Sequence, residues 1–161
     1  MIHARNDAPV LLNDRHSMTL TCPNESFLIP WRMASFVFHC TALLAVADYR
    51  RILVFRSLPL VHSPSDYDLM SSTADLAVAV TVVCLAVCLT GMATAMSLRE
   101  EVMNLIHAVC HTVGGVLLVA VWFYTSHVAR LWHVWYFFSL APASVELMLI
   151  LLKTRHGLEK W

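Results

Sequence analysis

Charged residues are scarce in this chain of 161 amino acids, of which they make up 14%, against roughly 25% in an average soluble domain. Basic and acidic residues number 11 each, so no excess of positive charge indicates nucleic acid as a partner. Glycine is rare, with four residues, and the sequence contains no phosphate-binding glycine loop, nucleophile elbow or zinc-protease motif. We therefore expect a protein that is not an enzyme, with no catalytic residues, no cofactor and no metal.

Cysteine is also limited, and its placement disfavours a disulfide framework. Four of the five cysteines, Cys40, Cys84, Cys88 and Cys110, fall inside long apolar runs, where a thiol is usually a small buried apolar group. Their spacing fits no common disulfide or metal motif, and we expect them to remain unpaired.

Long apolar runs dominate what is present, and hydrophobic residues make up 58% of the chain. The runs cover residues 27–47, 74–98, 102–124 and 131–152, and a helix needs about 20 such residues to cross a bilayer. Only helices and closed barrels satisfy their backbone groups in lipid, and no run shows the alternation of a barrel strand. The sequence predicts an all-α membrane protein with four transmembrane helices in an up-down bundle.

The remaining segments are short. We predict a transmembrane domain over residues 27–153, a disordered or membrane-surface tail over 1–26 and a short tail over 154–161. Four spans place both termini on one side, which carries seven Lys and Arg residues, Arg32 among them, against four on the other. Without Arg5, far from the membrane, the margin is six against four. The positive-inside rule then predicts cytoplasmic termini.

The connections predict how the spans pack. The first loop covers residues 48–73, and its last residues Ser71, Ser72 and Thr73 are candidate N-caps for the second span. Only residues 99–101 join the second and third spans, which predicts an antiparallel hairpin. We expect spans two to four to pack as one unit, with the first joined through the longer loop.

One carboxylate lies deep in the fourth span. A charge there costs about 2.5–3.5 kcal/mol, so Glu146 should face the bundle interior and find a partner. His107 and His111 share one face of the third span and reach similar depth, as do Thr90 and Thr94 on the second. We predict a structural polar layer of Glu146, His107, His111 and Thr90 that fixes helix register, in preference to a transport or proton-relay site.

The histidines within the spans and Glu146 are also compatible with two other functions. A haem-binding redox protein would use histidines from two helices, such as His39 and His111, as axial ligands. A small transporter would use Glu146 in contact with water.

Small residues predict helix contacts. Gly91 and Ala95 on the second span and Gly115 on the third would let backbones approach closely. Pro142 lies inside the fourth span, where it should kink the helix or remove one hydrogen bond.

Several motifs together resemble the transmembrane protein 107 family. They are Leu58-Pro59-Leu60, then Pro64-Ser65-Asp66-Tyr67-Asp68, a histidine at 111, and Trp135-Tyr136 ahead of Ala141-Pro142-Ala143 and Glu146. The similarity covers roughly residues 32–153; the chain departs from the family in its longer N-terminal tail and in Ser65-Asp66, where an acidic pair is more usual.

The resemblance implies a non-catalytic, multi-pass membrane scaffold of the ciliary transition zone, supporting cilium assembly and ciliary membrane composition. It also implies cytoplasmic termini. Implied partners are the lipid bilayer and other transition-zone proteins of the tectonic and B9-domain type. We take the first-loop residues Pro64, Asp66, Tyr67 and Asp68 as candidates for contact with such a partner.

Overall fold

The computed structural model describes residues 24–95, 97–124 and 127–158, all of whose regular elements are helical. A π-helical turn (Asn24–Leu28) leads into α1 (Ile29–Ser57), α2 (Pro64–Ala93), α3 (Glu101–Phe123), α4 (Ala129–Val134), a π-helical segment (Trp135–Leu140) and α5 (Ala141–Leu158). Four stretches are long and apolar enough to span a membrane: Ser26–Ser57, Pro64–Ala93, Glu101–Phe123 and Ala129–Arg155. The predicted four-span helical class is confirmed, while most of the predicted N-terminal tail lies outside the described residues.

Helix α2 begins earlier than predicted. Ser63 accepts a hydrogen bond from the Asp66 amide (3.2 Å), and the Asp66 carboxylate accepts one from the Ser63 amide (2.9 Å). This capping box, with Pro64 at the first helical position, satisfies amides that have no partner inside the helix. The predicted caps at residues 71–73 are therefore wrong: they lie within α2, where Ser72 and Thr73 donate to carbonyls one turn earlier.

The spans are not arranged around the bundle in chain order, because the second and third spans are not neighbours. Helix α1 packs most extensively on α3 and also lies against α2, while the fourth span, α4 to α5, contacts α2 and α3. Between described residues, no Cα atom of α2 comes within 8 Å of α3, and none of α1 comes within 8 Å of the fourth span. The helices α2 and α3 thus occupy one diagonal, and α1 and the fourth span occupy the other.

The predicted hairpin of spans two and three is therefore corrected. Helix α2 ends at Ala93 and α3 begins at Glu101, so the connection covers residues 94–100 instead of 99–101. Ala95 in this connection has a φ of 54°, a left-handed conformation that reverses the chain. The longer connection lets the chain step across the diagonal.

The bundle has two ends of different chemistry. The terminal end contains the start of α1 and α3 and the end of α2 and α5; the loop end contains the opposite ends of the same helices. Among the described residues, the buried side chains near the loop end are apolar: Leu53, Val54, Val121, Val128, Leu131 and Val134. The described residues near the terminal end include six buried ones that are polar or charged: Arg32, Ser35, Ser97, Asn104, His107 and Glu146.

The fourth span contains a local widening ahead of its proline. The π-helical segment Trp135–Leu140 ends just before Pro142, which is fully buried. A proline lacks the amide hydrogen and its ring crowds the carbonyl four residues earlier, that of Phe138, so a wider turn gives that carbonyl room.

Candidate functional site

A buried arginine stands at the centre of the terminal end. The Arg32 side chain has no exposed surface, and its Nη1 donates to Ser97 Oγ at 2.9 Å and to Asn104 Oδ1 at 2.8 Å. Its Nη2 donates to Glu146 Oε2 at 3.0 Å. One guanidinium therefore ties α1 to the 94–100 connection, to α3 and to α5.

The Arg32–Glu146 pair crosses the diagonal between α1 and the fourth span. Both side chains are fully buried, and a charge in this environment is tolerated only when it is paired and hydrogen-bonded. Arginine suits the position because its planar fork presents several donors in fixed directions. Asn104 is itself anchored, since its Nδ2 donates to the Leu98 carbonyl at 2.7 Å.

Glu146 packs against a glycine as well as against its charged partner. A Cβ atom built at Gly91 would overlap the Glu146 carboxylate, with Oε1 as the nearest atom. On the other side, His107 Nε2 lies 3.1 Å from Glu146 Oε2, although the angle there is not that of a hydrogen bond. The lack of a side chain at Gly91 is what allows the carboxylate to reach the centre of the bundle.

Two further histidines meet beside this cluster. His39 Nδ1 and His111 Nδ1 lie 3.3 Å apart, and the two rings pack edge to face with centroids separated by 5.3 Å. Gly114 makes room for this pair, because a Cβ there would lie 2.6 Å from His39 Cε1. Gly115 admits the Phe38 ring in the same way.

The geometry of this pair does not suit the haem alternative. Axial histidines must hold a porphyrin between them, whereas the rings of His39 and His111 contact each other directly. Phe36 also packs edge to face on His111, with centroids 5.4 Å apart. No space for a porphyrin separates the imidazoles of His39 and His111.

The structure brings some of the predicted polar layer together and leaves other members out. Glu146, His107 and His111 are fully buried near one another. Thr90 is exposed, and its hydroxyl donates to the Ala86 carbonyl of its own helix at 2.9 Å. Thr94 likewise donates to Thr90 and Gly91 carbonyls, so neither hydroxyl needs a partner across the bundle.

Some of the predicted packing residues lie at contacts between helices, and one does not. Gly91 and Gly115 lie at close contacts, and Pro142 is buried in the fourth span. Ala95 does not lie at a helix contact, because α2 has already ended and Ala95 is exposed in the following turn.

The first-loop candidates for partner contact lie in the first turn of α2. Asp66 is engaged in the cap, and Tyr67 is half-buried with its ring centroid 4.9 Å from that of Phe55. Asp68 and Pro64 are exposed. Of the two acidic residues, Asp68 therefore projects without a role in the cap.

Sequence reasoning missed Arg32 as a site residue because it counted Arg32 among the charges flanking the membrane. Its position inside the predicted span 27–47 was the signal that it needs a buried partner. With Arg32 inside the bundle, the flanking charges that favour cytoplasmic termini fall to five against four. Asn104 gave a similar signal inside the third span.

Comparison with known families agrees with the motifs. The family model TMEM107, described as a transmembrane protein, matches residues 28–150. The chain belongs to the TMEM107 family. No curated protein and no solved structure matches the chain. The matched region includes most of each of the four spans. It therefore contains the first loop and the buried cluster of Arg32, Ser97, Asn104, His107 and Glu146.

Proposed function

We propose that this TMEM107 family member is a non-catalytic membrane scaffold of the ciliary transition zone, where it recruits and retains other transition-zone proteins. The observation that carries the proposal is the family match over residues 28–150. The scaffold would support cilium assembly and limit which proteins enter the ciliary membrane.

The buried cluster is consistent with a structural task. A transporter of protons or ions needs its carboxylate to reach water on at least one side. Glu146 has no exposed surface and accepts a hydrogen bond from an equally buried Arg32. A scaffold gains from such a pair because it fixes which helices face each other and therefore which surfaces face partners.

Candidate partner surfaces lie at the loop end. Leu60 and Val61, in the connection between α1 and α2, are fully or almost fully exposed. Asp68 is also exposed and lies one turn into α2. We refer to the exposed side chains of Leu60, Val61 and Asp68 as the loop-end patch, and exposed apolar residues are suited to contact with a protein partner. We propose partners of the tectonic and B9-domain type for this patch.

Location in a ciliated cell tests the function most directly. A tagged copy should concentrate between basal-body and axoneme markers. The test variant carries Asp68→Ala, Leu60→Ser and Val61→Ser, and the wild type is its reference. These changes leave the buried cluster and the Ser63 cap intact. This variant should reach the membrane but co-purify fewer transition-zone proteins.

Two outcomes would contradict the proposal. Even distribution of the folded wild-type protein over the plasma membrane or endoplasmic reticulum would refute the transition-zone role. Unchanged partners and location for the triple variant would refute the loop-end patch as the contact surface.

A further inference from the structure

Two histidines of the polar layer also meet a buried thiol between α2 and α3, and the proposed scaffold role does not account for this combination. Cys88, His107 and His111 are fully buried, and one ligand atom from each lies within 4.8 Å of the others. The thiol comes from α2 and the imidazoles from α3, so the side chains meet across a diagonal that the backbones do not bridge.

The imidazoles have nitrogen atoms with no hydrogen-bond partner. These are His111 Nε2 and both ring nitrogens of His107. A buried polar atom without a partner costs about 1–3 kcal/mol, so each such atom in a native structure calls for a ligand or a water. A tautomer with hydrogen on His111 Nδ1, facing His39, leaves the lone pair of His111 Nε2 available.

This donor set is that of a soft transition-metal site. Histidines at i and i+4 project from one face of a helix and together bind metal in many helical sites. Thiolate and imidazole are preferred by copper and zinc. Metal bonds of about 2.0–2.3 Å place ligand atoms roughly 3.5 Å apart, so the three side chains need to close by about 1 Å from their present spacing.

Charge balance selects among the metals. The Arg32–Glu146 pair is neutral as a unit, and Glu146 lies 3.1 Å from His107. A monovalent ion bound to one thiolate and two neutral imidazoles adds no net charge, whereas a divalent ion leaves one uncompensated positive charge in a low-dielectric interior. We propose that Cys88, His107 and His111 bind one soft metal ion inside the membrane domain, and that the ion is Cu(I).

The binding step is a ligand exchange. The bonds from copper to the donor chelator break as its bonds to the Cys88 sulfur and the two imidazole nitrogens form. The Cys88 thiol proton is released to the buffer, and copper stays in the same oxidation state. His39 acts as a positioning residue, because its Nδ1 contact with His111 Nδ1 at 3.3 Å orients the imidazole toward the metal.

Transfer of Cu(I) from a coloured chelator to the full-length protein in detergent measures the site. We expect one copper per chain for the wild type and a loss of affinity of more than about 100-fold for Cys88→Ala, since removing only the partner of a ligand costs about 10–100-fold. Cys84→Ala is the matched control: Cys84 is a buried thiol one turn earlier on α2 that is not in the cluster, and its loss should leave copper affinity within about two-fold.

Copper K-edge absorption of the wild-type protein gives a readout that does not depend on any variant folding. The spectrum should show one sulfur and two nitrogen ligands. Three results would overturn the site. They are fewer than one bound copper per ten wild-type chains, an equal loss of copper affinity in the Cys84 and Cys88 variants, and a spectrum without a sulfur ligand. Zinc at one per chain with the same dependence on Cys88 would support the three ligands and overturn the choice of copper. A negative result would leave the ciliary proposal untouched, because that proposal is tested by location and partners.

Discussion

Two ion pairs in this molecule have the same length and opposite surroundings. Arg32 and Glu146 are 3.0 Å apart at the terminal end with side chains 0% exposed, and Arg50 and Asp75 are 3.0 Å apart nearer the loop end with side chains 44% and 45% exposed. A half-exposed pair is screened by its surroundings and contributes about 0–1 kcal/mol. A buried pair contributes little by its presence, but the loss of one partner leaves an unpaired charge.

The comparison extends to the two ends of the bundle. The loop end is held by apolar packing and by the Ser63 cap, both of which tolerate small changes. The terminal end depends on one guanidinium that serves three partners on three segments. Similar bond lengths therefore conceal very different sensitivities to mutation, and four predictions test this difference.

The largest effect is expected at Arg32. Arg32→Met should destabilise the protein by about 3–5 kcal/mol because it leaves Glu146 buried without its cation. The free energy of unfolding in mixed micelles measures this loss. The double variant Arg32→Met with Glu146→Met removes both charges and should recover most of the stability; a double variant as unstable as the single one would contradict this account.

Gly91→Ala should come next. The added methyl group overlaps the Glu146 carboxylate, and overpacking of this kind costs about 1–3 kcal/mol. Gly115→Ala is the control, because its close neighbour is the partly exposed Phe38 ring, which can move outward. Equal destabilisation by the two variants, in the same unfolding measurement, would show that the carboxylate is not held against Gly91.

At the loop end, Ser63→Ala should cost about 1 kcal/mol because it removes the α2 cap. Ser72→Ala removes an exposed hydroxyl that bonds only within its own helix, and it should change stability by less than about 0.5 kcal/mol. Thermal unfolding in detergent separates the two. A larger effect at Ser72 would return the start of α2 to the position predicted from sequence.

The smallest effect is expected for Asp75→Asn. Loss of the Arg50 partner should cost less than about 1 kcal/mol, and that cost should shrink as salt is raised, because exposed charges are screened. The same salt series should leave the Arg32→Met penalty nearly unchanged. A salt-independent cost at Asp75 would mean that this pair is more enclosed than its exposure indicates.

Sequence alone was sufficient for the number, type and approximate position of the spans, because length and hydropathy are local properties. The start of α2 was also within reach: Ser63-Pro64-Ser65-Asp66 has the capping-box spacing with a proline at the first helical position. The predicted first loop over residues 48–73 includes this motif, so the prediction starts the helix too late.

The arrangement of the helices was out of reach for a different reason. Which helices share a diagonal depends on contacts between distant segments, and connection length did not determine it. The pairing of Glu146 with Arg32, 114 positions apart, follows from that arrangement. The approach of Cys88 to two histidines depends on it too, because no local pattern links a thiol on α2 to α3.

The π-helical segment also sets the direction of a distant side chain. Buried positions in the fourth span step by five residues from Val134 to Ser139, and then by three and four, the ordinary helical spacing, to Pro142 and Glu146. Without the extra residue in Trp135–Leu140 the buried stripe would fall one position earlier, on Val145, and Glu146 would be rotated by about 100° toward lipid. The direction of the Glu146 side chain therefore depends on the Trp135–Leu140 segment, and substitutions in that segment can separate the two charges without changing Arg32 or Glu146.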